Sequence, residues 1–272
     1  MNIPLWLENS FHLVVNSVYA NLPQALPGEE RLSNCKIISH RGEHDNKNIF
    51  ENTLPAFDRV IDQGIWGIEF DIRWTRDLQP VVFHDKNLKR VFGSSIEISK
   101  VTLTELQANF PMIPSLDEVV SRYGKKLHLM VEIKEGVYND PVFQNRVLQD
   151  IFSPLEPQSD FHFLSIRPEM LTLIDFIPST TFLLISQLNA RNLSEMSIRK
   201  NYGGITGHYL FLTDNIVKKH KQRRQMVGAG FINSKNCLFR ELNRGINWIF
   251  SNNALELQSI CNSLLPFSSS TK

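Results

Sequence analysis

His40-Arg41-Gly42, Glu69-Phe70-Asp71, His84-Asp85 and Glu132-Ile133-Lys134 are the stretches of this sequence whose residue types could do chemistry. Each closes or follows a short apolar run: Ile37-Ile38 before His40, Ile68 before Glu69, Val81-Val82-Phe83 before His84, and Leu129-Met130-Val131 before Glu132. In an extended strand successive side chains alternate between faces. Glu69 and Asp71 therefore share one face while Phe70 and Ile72 take the other, and Glu132 and Lys134 share a face opposite Ile133. Three carboxylates brought to one point repel unless a cation neutralises them or some of them take up protons. A divalent ion is the economical answer. All-oxygen ligation favours a hard ion, Mg²⁺ or Ca²⁺, and the two nearby histidines leave Zn²⁺ or Mn²⁺ open. Taken singly, each residue also fits a structural ion pair; their common position at strand ends is what points to a site.

The elements that must position them alternate. Candidate strands fall at 36–40, 66–72, 80–84, 127–133, 161–166, 181–186, 204–212, 225–231 and 247–251, separated by helical patterns, as expected for β/α units around a parallel sheet. The 272 residues suit one (β/α)8 TIM-type barrel, an α/β fold of about 250 residues that keeps its catalytic groups at the C-terminal ends of its strands. The runs outnumber the eight barrel places by one. Asp71 to His84 is too short a connection for a crossover helix, so one run is expected to be either a hairpin partner or an extension outside the barrel, with no preference among the runs. Helix ends are marked by Asn52 or Thr53 before Pro55, by the capping boxes Thr102/Glu105 and Ser115/Glu118, and by Asn236 opening a segment that closes at Gly245. The expected organisation is an N-terminal helical arm over 1–35, a barrel domain over 36–265 and a flexible tail over 266–272.

Composition removes several function classes. A net charge of +1 gives no global reason to expect nucleic acid, and Lys218 to Arg224 reads as the solvated, positively charged end of a helix. Cys35, Cys237 and Cys261 are too few and too scattered for a disulfide framework, which suits a reducing compartment. The N-terminus is apolar, but Glu8, Asn9 and His12 interrupt it and no Lys or Arg precedes Arg31. It is expected to be neither a signal peptide nor a transmembrane span, and the protein to be cytoplasmic. His44 and His208 are expected to support the site or the fold, while His12, His128, His162 and His220 carry no site context.

In order along the chain, His40-Arg41-Gly42, Glu51-Asn52-Thr53-Leu54-Pro55-Ala56-Phe57, Glu69-x-Asp71, Thr75-Arg76-Asp77, Val82-Phe83-His84-Asp85, Ile113-Pro114-Ser115-Leu116-Asp117-Glu118 and Glu132-Ile133-Lys134 resemble the glycerophosphodiester phosphodiesterase family. The resemblance implies a TIM barrel hydrolase that releases glycerol 3-phosphate and an alcohol from a small-molecule phosphodiester. It implies His40 and His84 as the acid/base pair, Glu69, Asp71 and Glu132 as ligands of one Mg²⁺ or Ca²⁺, and Arg41 and Lys134 as the phosphate's basic partners. Alternative readings are a lysophospholipid or sugar phosphodiesterase acting through a cyclic phosphate, and a non-catalytic phosphodiester-binding barrel. The chain departs from the family pattern at Phe50, at Leu164-Ser165-Ile166, and at Ser251-Asn252-Asn253, where a threonine-aspartate is usual.

Overall fold

The computed structural model describes residues 17–134 and 138–265, so the expectations for the first part of the arm and for the tail lie outside the described residues. Nine strands are described: β1 (Lys36–His40), β2 (Gly67–Trp74), β3 (Pro80–Val82), β4 (His128–Ile133), β5 (Phe161–Ser165), β6 (Phe182–Ser186), β7 (Gly204–His208), β8 (Met226–Gly230) and β9 (Trp248–Ser251). All but β3 pair in parallel in the order β1-β2-β4-β5-β6-β7-β8-β9, and β9 returns to β1 to close an eight-stranded barrel. The surplus run is β3. It folds back antiparallel on the end of β2, with Ile72 opposite Val82 and Trp74 opposite Pro80, because the four residues after Trp74's neighbour Thr75 allow only a hairpin.

Strand alternation divides the core in two. Ile38, Met130, Leu164, Leu183 and Phe250 fill the barrel interior, and their strand neighbours Ile37, Ile68, Phe70, Val131, Phe163, Leu184 and Ile249 pack outward against the helices. The floor of the barrel is aromatic and basic. Trp66 stacks on His128 at 4.1 Å, Lys36 Nζ lies 4.5 Å from the Trp66 ring and 4.9 Å from that of Trp248, and His128 Nε2 meets His162 Nδ1 at 2.9 Å. These two histidines, without site context in the sequence, close the end of the barrel remote from the mouth.

The described part of the arm lies along the flank, beside the helix Lys235–Arg244. Tyr19 meets Tyr209 edge-on at 5.5 Å, Asn236 donates to the Ala20 carbonyl at 2.7 Å, and Asn243 donates to that of Ala25 at 2.8 Å. Asn236 is thus engaged by the arm. Ser234, with extended backbone, caps the helix by accepting from Cys237 N, and Gly245 ends it in the left-handed conformation. A separate small core of Val81, Phe83, Leu88, Ile98, Leu106 and Ile113 supports the insertion between β2 and β4. None of the helices in the described residues is long and apolar enough to cross a membrane.

Candidate active site at the barrel mouth

β1 delivers His40 to the mouth and the chain then turns sharply through Arg41 and Gly42, at φ of 60° and 78°. A β-carbon at Gly42 would stand 2.8 Å from Ala56, so only glycine lets this turn sit on the helix Leu54–Asp58. The turn aims the Arg41 guanidinium inward, where NH1 reaches Glu51 Oε1 at 2.9 Å and Nε reaches Asp71 Oδ2 at 3.2 Å. Asn52, also left-handed at φ 58°, donates to Asp71 Oδ2 at 2.9 Å, and Thr53 caps the following helix. Glu51-Asn52-Thr53 is therefore a bracket. One residue fixes Arg41, the next fixes Asp71 and the third starts the helix beneath them.

Glu69 and Asp71 of β2 and Glu132 of β4 point into the barrel together, with Asp71 opposite Glu132 in the register. One carboxylate oxygen from each lies within 4.8 Å of the others, and all three side chains are buried. Lys134 Nζ sits 2.8 Å from Glu132 Oε1 and 3.3 Å from Asp71 Oδ1, while His40 Nε2 lies 3.7 Å from Glu69 Oε2. Glu69 Oε2 and Asp71 Oδ1 have no hydrogen-bond partner among the described residues.

The charges are unequally satisfied. Burial, then the neighbouring charges of Asp71 and Glu132, raise the Glu69 pKa well above the ordinary carboxylate range. Burial opposes ionisation of Asp71 as well, but Arg41 and Lys134 outweigh it and hold that carboxyl well below its usual value. Glu132 is raised by burial, with Lys134 acting against the rise. For Lys134 the order is reversed: burial is outweighed by Asp71 and Glu132, and its pKa is raised.

The two histidines have different partners. His40 Nδ1 lies 2.6 Å from Asn252 Oδ1, so the ring donates from Nδ1 and presents Nε2 toward Glu69. Burial first, then Arg41, brings the His40 pKa down to about 3, and the ring is neutral. His84 arrives by way of the β2–β3 hairpin, which is anchored by Phe83 N donating to the Asp71 carbonyl at 2.9 Å and by Arg73 Nε donating to the His84 carbonyl at 2.7 Å. Its Nδ1 lies 2.5 Å from Asp85 Oδ1.

All the site residues expected from the sequence thus meet at the mouth: His40, Arg41, Glu69, Asp71, His84, Glu132 and Lys134. Sequence reasoning missed the residues that hold them. Asn252 binds His40, Asp85 binds His84, and Glu51 and Asn52 bind Arg41 and Asp71. The adjacency of His84 and Asp85 was a signal for one of these; nothing local could pair His40 with a residue on β9's far end. His44 Nδ1 donates to the Gly42 carbonyl, 2.9 Å away, and its Nε2 lies 3.9 Å from Glu51 Oε2. His208 stands at the top of β7, stacked between Tyr209 at 4.5 Å and Phe231 at 5.1 Å.

Comparison with known proteins agrees with this geometry. A sequence profile described as the glycerophosphoryl diester phosphodiesterase family matches residues 40–226. A glycerophosphodiester phosphodiesterase of Caldanaerobacter subterraneus is 26% identical over 231 residues, covering 79% of this chain and 93% of that protein. Human lysophospholipase D GDPD1 is 36% identical over a shorter stretch of 113 residues, 39% of this chain and 34% of that protein. An Oleispira antarctica phosphodiesterase, solved in complex with the product sn-glycerol-3-phosphate, shares the fold with a TM-score of 0.69 at 24% identity, over 85% of this chain and 99% of that one. With its closed parallel barrel and a profile match spanning most of its length, the chain belongs to the glycerophosphoryl diester phosphodiesterase family and is a phosphoric diester hydrolase.

Proposed function

We propose that the protein hydrolyses a small glycerophosphodiester to glycerol 3-phosphate and an alcohol, with one divalent cation held by Glu69, Asp71 and Glu132. The observation that carries this reading is the buried carboxylate triad, whose ligand atoms lie within 4.8 Å of one another beside two histidines and two basic residues. The triad fits a cation: its donors are all oxygen, two of those oxygens lack a hydrogen-bond partner, and Glu69 is costly to ionise without a positive charge beside it. Oxygen-only ligation suits Mg²⁺ or Ca²⁺. When bound, the ion polarises a phosphoryl oxygen and neutralises charge developing on it.

The protein groups divide the remaining work. Arg41 and Lys134, each already braced by a carboxylate, turn their other N–H groups to the phosphate. His40, neutral and with Nδ1 committed to Asn252, receives the nucleophile's proton at Nε2. His84, whose charge Asp85 compensates, returns a proton from Nε2 to the departing alkoxide. The nucleophile is water or a hydroxyl of the substrate itself, the latter passing through a cyclic phosphate. Phosphorus NMR of early products separates the two.

A lysophospholipid is a second reading, favoured by the exposed Leu188, which with Leu210 and Phe211 forms the apolar part of a cleft on the β6–β7 side that Arg191, Glu195 and Lys219 also line. The deciding experiment is release of glycerol 3-phosphate from a panel of glycerophosphodiesters and a lysophospholipid, after chelation and again with Mg²⁺ or Ca²⁺ restored. Turnover that returns with the ion is expected; ion-independent turnover would remove the metal from the reading, and none under any ion would favour a barrel that only binds.

A further inference from the structure

One arginine outside the residues so far assigned joins the two halves of the mouth. Arg90 lies on the short helix Lys89–Phe92 of the insertion. Its guanidinium donates from Nε to Asp85 Oδ2 at 2.7 Å, from NH1 to Glu51 Oε2 at 3.0 Å and from NH2 to Glu51 Oε1 at 2.6 Å. Asp85 presents its other oxygen to His84 Nδ1, and Glu51 shares Oε1 with Arg41 NH1. The chain of contacts therefore runs His84, Asp85, Arg90, Glu51, Arg41, Asp71 without a break.

We infer that Arg90 is a positioning residue for the hydrolytic reaction, fixing His84 through Asp85 and Arg41 through Glu51, and so coupling the insertion to the chemistry. Three donors in one rigid plane determine the rotation of two carboxylates at once, which the single ammonium of a lysine cannot do. Glu51 is only 4% exposed, so without Arg90 its charge would be left to Arg41 and the Asn46 amide and would draw the Arg41 guanidinium from the phosphate. Asp85 would be left to rotate, and with it the proton on His84. The arrangement is more than a surface ion pair because both carboxylates have a second, functional partner. Leu88, wholly buried in the insertion's own core, sets the base from which Arg90 reaches.

The inference rests on His84 acting in the reaction, and the test separates the two. The full chain is compared with Arg90→Met and Arg90→Lys, each also combined with His84→Gln, for kcat and KM on a glycerophosphodiester and for thermal midpoint. Long-range nitrogen–proton NMR of the His84 ring is recorded at one pH. Removing such an outer partner is expected to lower kcat about 10- to 100-fold, with Arg90→Lys recovering only part. In the His84→Gln background the same change should lower kcat by clearly less than in the parent, because the part acting through His84 is already lost and only the part acting through Glu51 and Arg41 remains. The ring should lose its single Nδ1–H form in Arg90→Met. An equal loss in both backgrounds with the ring signals unmoved would overturn the inference, leaving Arg90 a structural residue. Should Arg90→Met fail to fold, Arg90→Lys retains the charge and carries the same ring measurement. Full turnover in His84→Gln alone would instead remove the role of His84, while the ring spectrum would still report whether Arg90 orients it.

Discussion

At the scale of single residues, the two histidines differ in the partner each Nδ1 meets. His40 faces an amide, Asn252, and His84 a carboxylate, Asp85. Replacing either histidine by alanine is expected to lower turnover by about 10² or more while leaving the fold intact, since each is worth about 10² to 10⁴ as an acid or base. Paired kinetic and circular-dichroism measurements check this, and near-parental rates in both variants would contradict it. Asn252→Leu removes only the acceptor that orients His40, so kcat should fall by about tenfold, one hydrogen bond's worth, with KM little changed. Glu69 makes a prediction about pH. Its folded pKa is raised by burial, so its contribution is full below the unfolded value near ~4.3 and is lost as pH rises through the folded one. In the ion-free protein the Glu69 contribution should therefore fall as pH rises, and a bound cation should restore it while releasing protons. Melting temperatures with and without Mg²⁺ or Ca²⁺ at about pH 5 and about pH 8 test the sign, the ion-induced gain being larger at the higher pH.

At the scale of elements, the mouth is built by what happens just after strands end. The turn His40-Arg41-Gly42 crosses above the helix Leu54–Asp58 with no room for a side chain at Gly42. Gly42→Ala is expected to cost about 1–3 kcal/mol through its left-handed backbone and the clash with Ala56, and to lower kcat because His40 and Arg41 move with the turn. Denaturant midpoints and steady-state kinetics on one preparation measure both; a stability loss with unchanged kcat would show the turn to be only structural. The β2–β3 hairpin does the corresponding work for His84, tied down by Asp71 and Arg73. In the sequence the run at 80–84 looked like the other barrel strands. Three-residue β3 has the same apolar content as they do, and only the pairing to Trp74 through Ile72 shows that it leaves the barrel.

At the scale of the molecule, the insertion between β2 and β4 has a hydrophobic core of its own and carries His84, Asp85 and Arg90 on its inner edge. Leu88→Ala, at a wholly buried position, should cost about 2–5 kcal/mol and should be felt first within the insertion. Hydrogen exchange is expected to quicken over residues 83–113 while the amides of β4 to β9 stay protected, with activity falling in step. The sequence by itself determined the barrel, its strands to within a few residues, and the residues that meet at the mouth. Alternation along a strand and capping at a helix end are local rules, and Glu69, Asp71, Ser115 and Thr102 obey them without help from distant chain. The tertiary structure alone decided which surplus strand left the barrel, that the described part of the arm runs along the helix Lys235–Arg244, and what holds each catalytic candidate in place. Those outcomes depend on closing the barrel, which brings Asn252 to His40 across 212 positions and Arg90 to Glu51 across 39, and no local pattern encodes contacts made by closure.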